Sequence, residues 1–318
     1  MTTPRPVTAA PNFSRGPLSV RGRVLGAATS ATMLPLLRDG NAAPRTRRRI
    51  ELLGKLTRSG PRGTRFHAGV LGGVPVHTVL PRTVTSRNCI IYLHGGAYVS
   101  GSPRSYRGLV SHLASATGCR VVAVDYRLAP ECPYPAALED TLAVYRAVLA
   151  EGQDPARLVI AGDSAGGGLT LATAMSLRDG GLPLPAALMC IAPWADLSCS
   201  GASMHTHSHR ERMMNPAGLD KNARDYAGAE SRTHPLISPV FADLRGLPPL
   251  MIQVGDDEVL LDDSIRLANT ARDHDVDVTL QVWPHLWHVW HLYAGLMPEA
   301  NAAIRQLADF VANRAGAK

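Results

Sequence analysis

A serine becomes a nucleophile when the chain presents its hydroxyl clear of the backbone. Ser164 stands in "AGDSAGGGL" (Ala161 to Leu169), where Gly162, Ser164 and Gly166 form a G-x-S-x-G pattern. Small residues on both sides allow a sharp turn. The apolar run "RLVIAG" precedes it and a helical pattern follows, so a helix N-terminus behind the hydroxyl favours developing negative charge. The same pattern also suits a glycine-rich turn or a phosphate cradle, so the serine needs partners before it implies catalysis.

One partner is a place for negative charge. "YLHGGAYVSG" (Tyr92 to Gly101) follows another apolar run, and paired glycines after a histidine let backbone N–H groups point into a cavity. Attack on a carbonyl puts charge on its oxygen, and each donor held there contributes about 3 kcal/mol. Gly96, Ala97 and Ala165, the residue after Ser164, are the natural donors. His94 is expected to brace this loop rather than to act as a base.

The other partners are a base and an acid, in chain order serine, acid, histidine. "WPHLWHVWH" offers His285, His288 and His291. "VGDDEVLLDDS" offers Asp256, Asp257, Glu258, Asp262 and Asp263. The acid should lie just beyond the strand "PLMIQV", which places Asp262 and Asp263 too far along. They are expected to cap the next helix, where an aspartate is stabilising by about 1 kcal/mol. Asp256, Asp257 and Glu258 remain.

Positioning these groups requires a sheet. β-Branched apolar runs recur at 74–80, 89–94, 120–125, 157–162, 186–192, 249–255 and 278–283, with helical patterns at about 104–117, 135–150, 165–179, 262–274 and 298–314. Their alternation implies an α/β fold with a mostly parallel central sheet flanked by helices. Several runs lack polar alternation, so both faces of the sheet should be covered. Residues 61–195 and 246–318 make up this core. Residues 196–245 exceed an ordinary connection and are expected to fold over the C-terminal edge of the sheet, where such proteins keep their sites. Residues 1–60, rich in Pro, Gly and Arg, show short helical patches, with "VRGRVLGAATSATMLPLL" read as an amphipathic surface or lid helix rather than an export signal.

Bulk properties narrow the function. No uninterrupted apolar run approaches the ~18 residues of a membrane span. Five scattered cysteines without CxxC spacing read as reduced cytoplasmic thiols. The formal charge of +7 lies largely in the first 65 residues without aromatic interleaving, which reads as a solvated surface and not a nucleic-acid site. "HTHSH" (His205, His207, His209) lacks the acidic companion of a metal signature and reads as a polar segment; Trp194 and Asp196 read as structural.

Taken in order, "HGGAY", "DYRLAPE" (Asp125 to Glu131), "PAALED" (Pro135 to Asp140) and "GDSAGG" resemble the hormone-sensitive-lipase-like (bacterial family IV) esterases of the α/β-hydrolase superfamily, over Tyr92 to Trp290. The resemblance implies an α/β-hydrolase fold with a helical cap and hydrolysis of short- to medium-chain carboxylic esters, without cofactor or metal. It selects His288 as the base, with His285 and His291 as loop and surface residues. It selects Glu258 as the acid, because Leu260 and Asp262 follow at the family's spacing. The family usually has aspartate there, so Glu258 is a departure with one extra methylene. Ala97 replaces a third glycine, which keeps the N–H but narrows the pocket. Tyr98 is placed near the pocket entrance. A lactone or amide hydrolase would use the same triad, and a homodimer is compatible with the family. A receptor branch of the family, which binds gibberellin, lacks the histidine that this chain has at 288.

Overall fold

Strands covered on both faces can be apolar at every position, and β4 (Cys89–Leu93), β6 (Leu158–Asp163), β7 (Ala187–Ile191) and β8 (Leu250–Gly255) bury every residue. The computed structural model describes residues 8–9, 17–37, 44–54 and 59–316; of the segment 1–60, residues 1–7, 10–16, 38–43 and 55–58 lie outside them. The other described strands are β1 (Thr8–Ala9), β2 (Arg65–Leu71), β3 (Val74–Leu80), β5 (Arg120–Val124) and β9 (Val278–Trp283). They form one sheet in the order β1-β9-β8-β7-β6-β4-β5-β3-β2, parallel from β1 to β5, with β3 and β2 antiparallel at the far edge.

The chain runs outward from β4 to β5 on one side and to β6 on the other. A crevice therefore opens at the C-terminal ends of β4 and β6, the switch point where α/β sheets bind ligands. The glycine loop follows β4 and Ser164 follows β6.

Successive strand residues face opposite layers. Ile91, Ile160 and Ile252 pack towards α4 (Ala136–Ala150), α5 (Ala165–Asp179) and α8 (Leu261–Asp273). Ile90, Val159 and Met251 pack towards α3 (Arg107–Thr117) and α9 (Pro298–Arg314). The expected runs and helices agree with these elements to within three residues at either end.

Two regions differ from expectation: β2, and the N-terminal segment with β1 and two helices. β2 was not anticipated because five of its seven residues are exposed, so it carries no inward apolar pattern. Its turn to β3 is a two-residue hairpin from Leu71 to Val74 in which Gly72 and Gly73 take φ of 57° and 82°. The N-terminal segment holds more than short patches: α1 (Val20–Leu37) has 18 residues and is followed by α2 (Pro44–Gly54). Nor is α1 amphipathic by hydropathy. Its buried residues are Gly22, Gly26, Thr29 and, at its end, Leu37, while Val20 and Val24 are exposed. A Cβ on Gly26 would lie 3.0 Å from the Trp287 ring, so small size fits this face to a cluster containing Trp283, Trp287 and Trp290. Between β7 and β8 the chain carries α6 (Ser203–Thr206) and α7 (Pro216–Ala227), the latter capped by the Asn215 side chain accepting from Gly218 N–H at 2.8 Å.

Candidate active site

The turn between β6 and α5 holds Ser164 at φ 53° and ψ −121°, a conformation that costs about 1–3 kcal/mol outside glycine. Its N–H donates to Ile191 O at 2.8 Å, and its carbonyl accepts from Gly167 and Trp194 N–H at 2.9 Å each. The flanking glycines are steric requirements. A Cβ on Gly162 would sit 2.2 Å from Gly166 O, and one on Gly166 would sit 2.0 Å from Leu93 O.

The loop after β4 is pressed against this turn. Gly95 N–H donates to Asp163 Oδ1 at 3.0 Å, and a Cβ on Gly95 would meet Asp163 Oδ2 at 2.3 Å. Gly96, Ala97 and Tyr98 then have φ of 118°, 56° and 63°. Ala97 adopts the left-handed conformation its methyl group disfavours, and the turn closes through Ser100 N–H to Gly96 O at 3.0 Å. Among the described residues, the N–H groups of Gly96, Ala97 and Ala165 have no acceptor within the protein. Gly96 and Ala97 line one cavity together with Ser164. His94 lies behind the loop, with Nδ1 2.7 Å from Gly95 O and its ring stacked on Tyr126. Burial pushes its imidazole down to about 4, and its contacts are those of a brace.

Loops after β8 and β9 carry Glu258 and His288, the acid and base expected from the sequence. Glu258 is fully buried; Oε1 accepts from Gly255 N–H at 2.7 Å and Oε2 lies 2.8 Å from His288 Nδ1. Burial pushes the Glu258 carboxyl up and the His288 imidazole down, while the charges of Glu211 and Asp163 oppose the shift on His288. With Nδ1 committed to Glu258, Nε2 is the nitrogen left to serve a reacting group. His288 lines the same cavity as Ser164. That cavity has a volume of about 310 Å³ and apolar walls, with Leu25 and Met33 from α1, Ile50 from α2, and Met213, Met214 and Leu219 from the β7–β8 connection.

Comparison with known proteins bears on the fold and the family. A family model described as alpha/beta hydrolase fold matches residues 90–292. An acetyl-hydrolase of Streptomyces hygroscopicus is 48% identical over 227 residues, 71% of this chain and 76% of that protein. An esterase of Acinetobacter venetianus is 36% identical over 70% of this chain and 73% of its own length. The crystal structure of an esterase from the bacterial hormone-sensitive lipase family superposes with a TM-score of 0.85 at 39% identity, covering 91% of this chain and 99% of the other. The esterase EstE5, soaked with p-nitrophenyl butyrate, gives 0.88 at 38% identity, covering 94% and 100%.

The chain belongs to the hormone-sensitive-lipase-like esterase family. The family resemblance and the fold expected from the sequence are both borne out.

Several residues of this family member sit elsewhere than expected. Tyr98 is not at a pocket entrance: it is buried at 1% exposure, stacked face to face on Tyr226 at 3.6 Å behind the loop. His291 is not a surface residue. It is fully buried, its Nε2 lies 2.8 Å from Gln253 Oε1, and burial pushes it down to about 3. Asp262 and Asp263 occupy the first turn of α8 but do not cap it. Asp262 Oδ2 accepts Ser203 N–H at 2.9 Å, and Asp263 Oδ2 accepts Ala195 and Asp196 N–H at 2.9 and 2.8 Å. Both carboxylates reach sideways because the connection after β7 presents unpaired N–H groups there.

Other residues singled out in the sequence are placed as follows. His285 is exposed, and its N–H donates to Asp256. Asp196 is buried among Ser198, Ser200 and Arg266. His205 and His209 are exposed, and among the described residues no group of three or more His, Cys, Asp or Glu is arranged to hold a metal ion. The five cysteines are free thiols. Among the described residues no helix is long and apolar enough to cross a membrane.

The sequence reading missed two residues of this family member's site. Asp163, in the G-x-S-x-G pattern itself, holds the loop after β4. Its signal was one carboxylate ending an apolar strand. Glu211, in "HRERMM", is buried at 3% exposure, although its neighbours read as a charged run.

Proposed function

We propose that this esterase-family chain hydrolyses short- to medium-chain carboxylic esters through Ser164, His288 and Glu258, with Gly96, Ala97 and Ala165 as oxyanion donors. The observation that carries this reading is the buried Glu258–His288 pair opening on the cavity that Ser164 and the Gly96–Ala97 loop also line. His288 Nε2 takes the Ser164 proton as Oγ attacks the ester carbonyl. Glu258 orients the ring and stabilises the imidazolium. The tetrahedral oxyanion is met by the three N–H groups, the C–O bond breaks as His288 returns the proton to the alcohol, and an acyl-serine remains. Water, deprotonated by His288, attacks that ester, and the carboxylic acid leaves with Ser164 regenerated. The names of the acetyl-hydrolase and esterase relatives support the reaction class.

In this reading residues 61–195 and 246–318 form the catalytic core, with α1, α2 and residues 196–245 as a roof, while Thr8–Ala9 extends the sheet beside β9. The apolar walls contributed by α1, α2 and the β7–β8 connection support a closed acyl pocket. Each misfitted methylene in such a pocket discriminates by about 1–3 kcal/mol. The test is kcat/KM on dissolved aryl esters of increasing acyl length, in the wild type and in Ser164→Ala. A maximum at short acyl chains with loss of turnover in the variant is expected. A maximum at long chains, or a rate jump above the solubility limit of the ester, would refute the closed pocket.

A further inference from the structure

The peptide that follows the proposed acid is gripped on both sides by the connection between β7 and β8. Ser203 Oγ donates to Val259 O at 2.7 Å, and Glu211 Oε2 accepts Val259 N–H at 3.2 Å. Glu211 Oε1 accepts in turn from Arg212 and Met213 N–H at 2.8 and 2.9 Å, immediately before the Met213–Met214 stretch of the cavity wall. All three contacts come from N–H donors, so the arrangement suits a carboxylate and not an acid, which would have to donate. A buried carboxylate without a paired cation is costly unless a positive charge develops beside it.

We propose that Glu211 is a positioning residue for the reaction above: it fixes the acid loop through Val259 and holds a second negative charge beside the His288 imidazolium. This rests on the reading of His288 as the base. The groups facing His288 are Glu258 after β8, Asp163 at the end of β6, Glu211 from the β7–β8 connection, and the neutral His291 one turn along its own segment. Arg210 and Arg212 both act on Asp257, and the half-buried Arg212 guanidinium lies 5.7 Å from the centre of the Trp287 ring, next to His288 in the chain. Burial raises the Glu211 carboxyl, and the charge on His288 opposes that shift just as the Glu211 carboxylate favours the charged ring. Glu211 thereby couples the wall over the substrate to the charge on the base.

The decisive measurement is the titration of the His288 ring by NMR in 15N-labelled Ser164→Ala protein, with and without Glu211→Gln. Loss of the charge should lower the ring pKa by roughly half a unit to one unit. In the active enzyme Glu211→Gln should lower kcat about ten-fold and move the acid limb of kcat/KM to lower pH. Glu211→Asp keeps the charge and withdraws the contact, so it should lower kcat with the limb unmoved. An unchanged ring titration in Glu211→Gln overturns the electrostatic role. Should Glu211→Gln fail to fold, full kcat in Glu211→Asp overturns the positioning role. The titration needs no turnover, so persistent hydrolysis by Ser164→Ala would strike the parent reading and leave this measurement standing.

Discussion

Asp163 Oδ1 accepts the Gly95 N–H at 3.0 Å and the Tyr92 hydroxyl at 2.7 Å, so the residue before the proposed nucleophile holds the loop of the proposed oxyanion donors. Burial raises this carboxyl to about 6 against the hydrogen bonds that favour its charged form. Asp163→Ala should destabilise the protein by about 1–3 kcal/mol, the cost of leaving buried donors unsatisfied. It should also lower kcat by about ten-fold or more as the N–H groups lose their setting. Asp163→Asn can still accept both bonds and should retain most of the activity. Denaturant unfolding with kcat on a short-chain ester checks both outcomes.

The five acids after β8 separate by partner. Glu258→Gln should lower kcat by roughly three to four orders of magnitude, because the ring at 288 loses its orienting charge. Asp256→Asn and Asp262→Asn should leave kcat within a few-fold of wild type. An inactive Asp257→Asn beside an active Glu258→Gln would move the acid by one residue.

Ala97 occupies a conformation in which glycine is unstrained. Ala97→Gly should relieve roughly 1 kcal/mol of native-state strain, offset by the greater freedom of glycine in the unfolded chain. The melting temperature should therefore change little, while the N–H and kcat on short esters persist. The space freed beside the serine should raise kcat/KM for esters with bulky acyl groups, which parallel assays would read directly.

Stability should depend on pH through Asp263. Burial, with the charge of Asp196 beside it, raises its carboxyl from 3.8 to about 8. The folded state therefore holds that proton more tightly than the unfolded chain. The associated stability is fully present below pH 3.8 and is lost as pH rises towards 8. Asp263→Asn, whose oxygen can accept the Ala195 and Asp196 N–H bonds, should remove this slope. Its melting temperature should overtake that of the wild type, by about 2 °C or more, above pH 8. Thermal melts at several pH values decide it.

The sequence carried the core because strand and helix period, glycine spacing and motif order are all written in side-chain type. Helix α5 and strands β3 and β9 have the ends expected of them. Ser164 and the glycine loop stand in motifs whose chemistry depends on neighbours in the chain, whereas Glu258 and His288 were singled out among their neighbours only by the family resemblance. What escaped depended on neighbours in space. α1 buries Gly22 against Met297 and Gly26 against Trp287, so hydropathy does not mark its buried face. His291 and Glu211 are polar residues whose burial is set by distant strands and loops, and Tyr98 found Tyr226, 128 positions later, as its stacking partner.

The packing of α1 has an optical consequence. All four tryptophans of the chain are buried at 1% exposure or less, and Trp287, which contacts Gly26 of α1, immediately precedes His288. Native emission should therefore be blue-shifted, and any departure of α1 from the cavity wall would wet Trp287 first. The protein thus carries a built-in fluorophore between α1 and the proposed base, through which opening of the cavity can be followed in real time without a label.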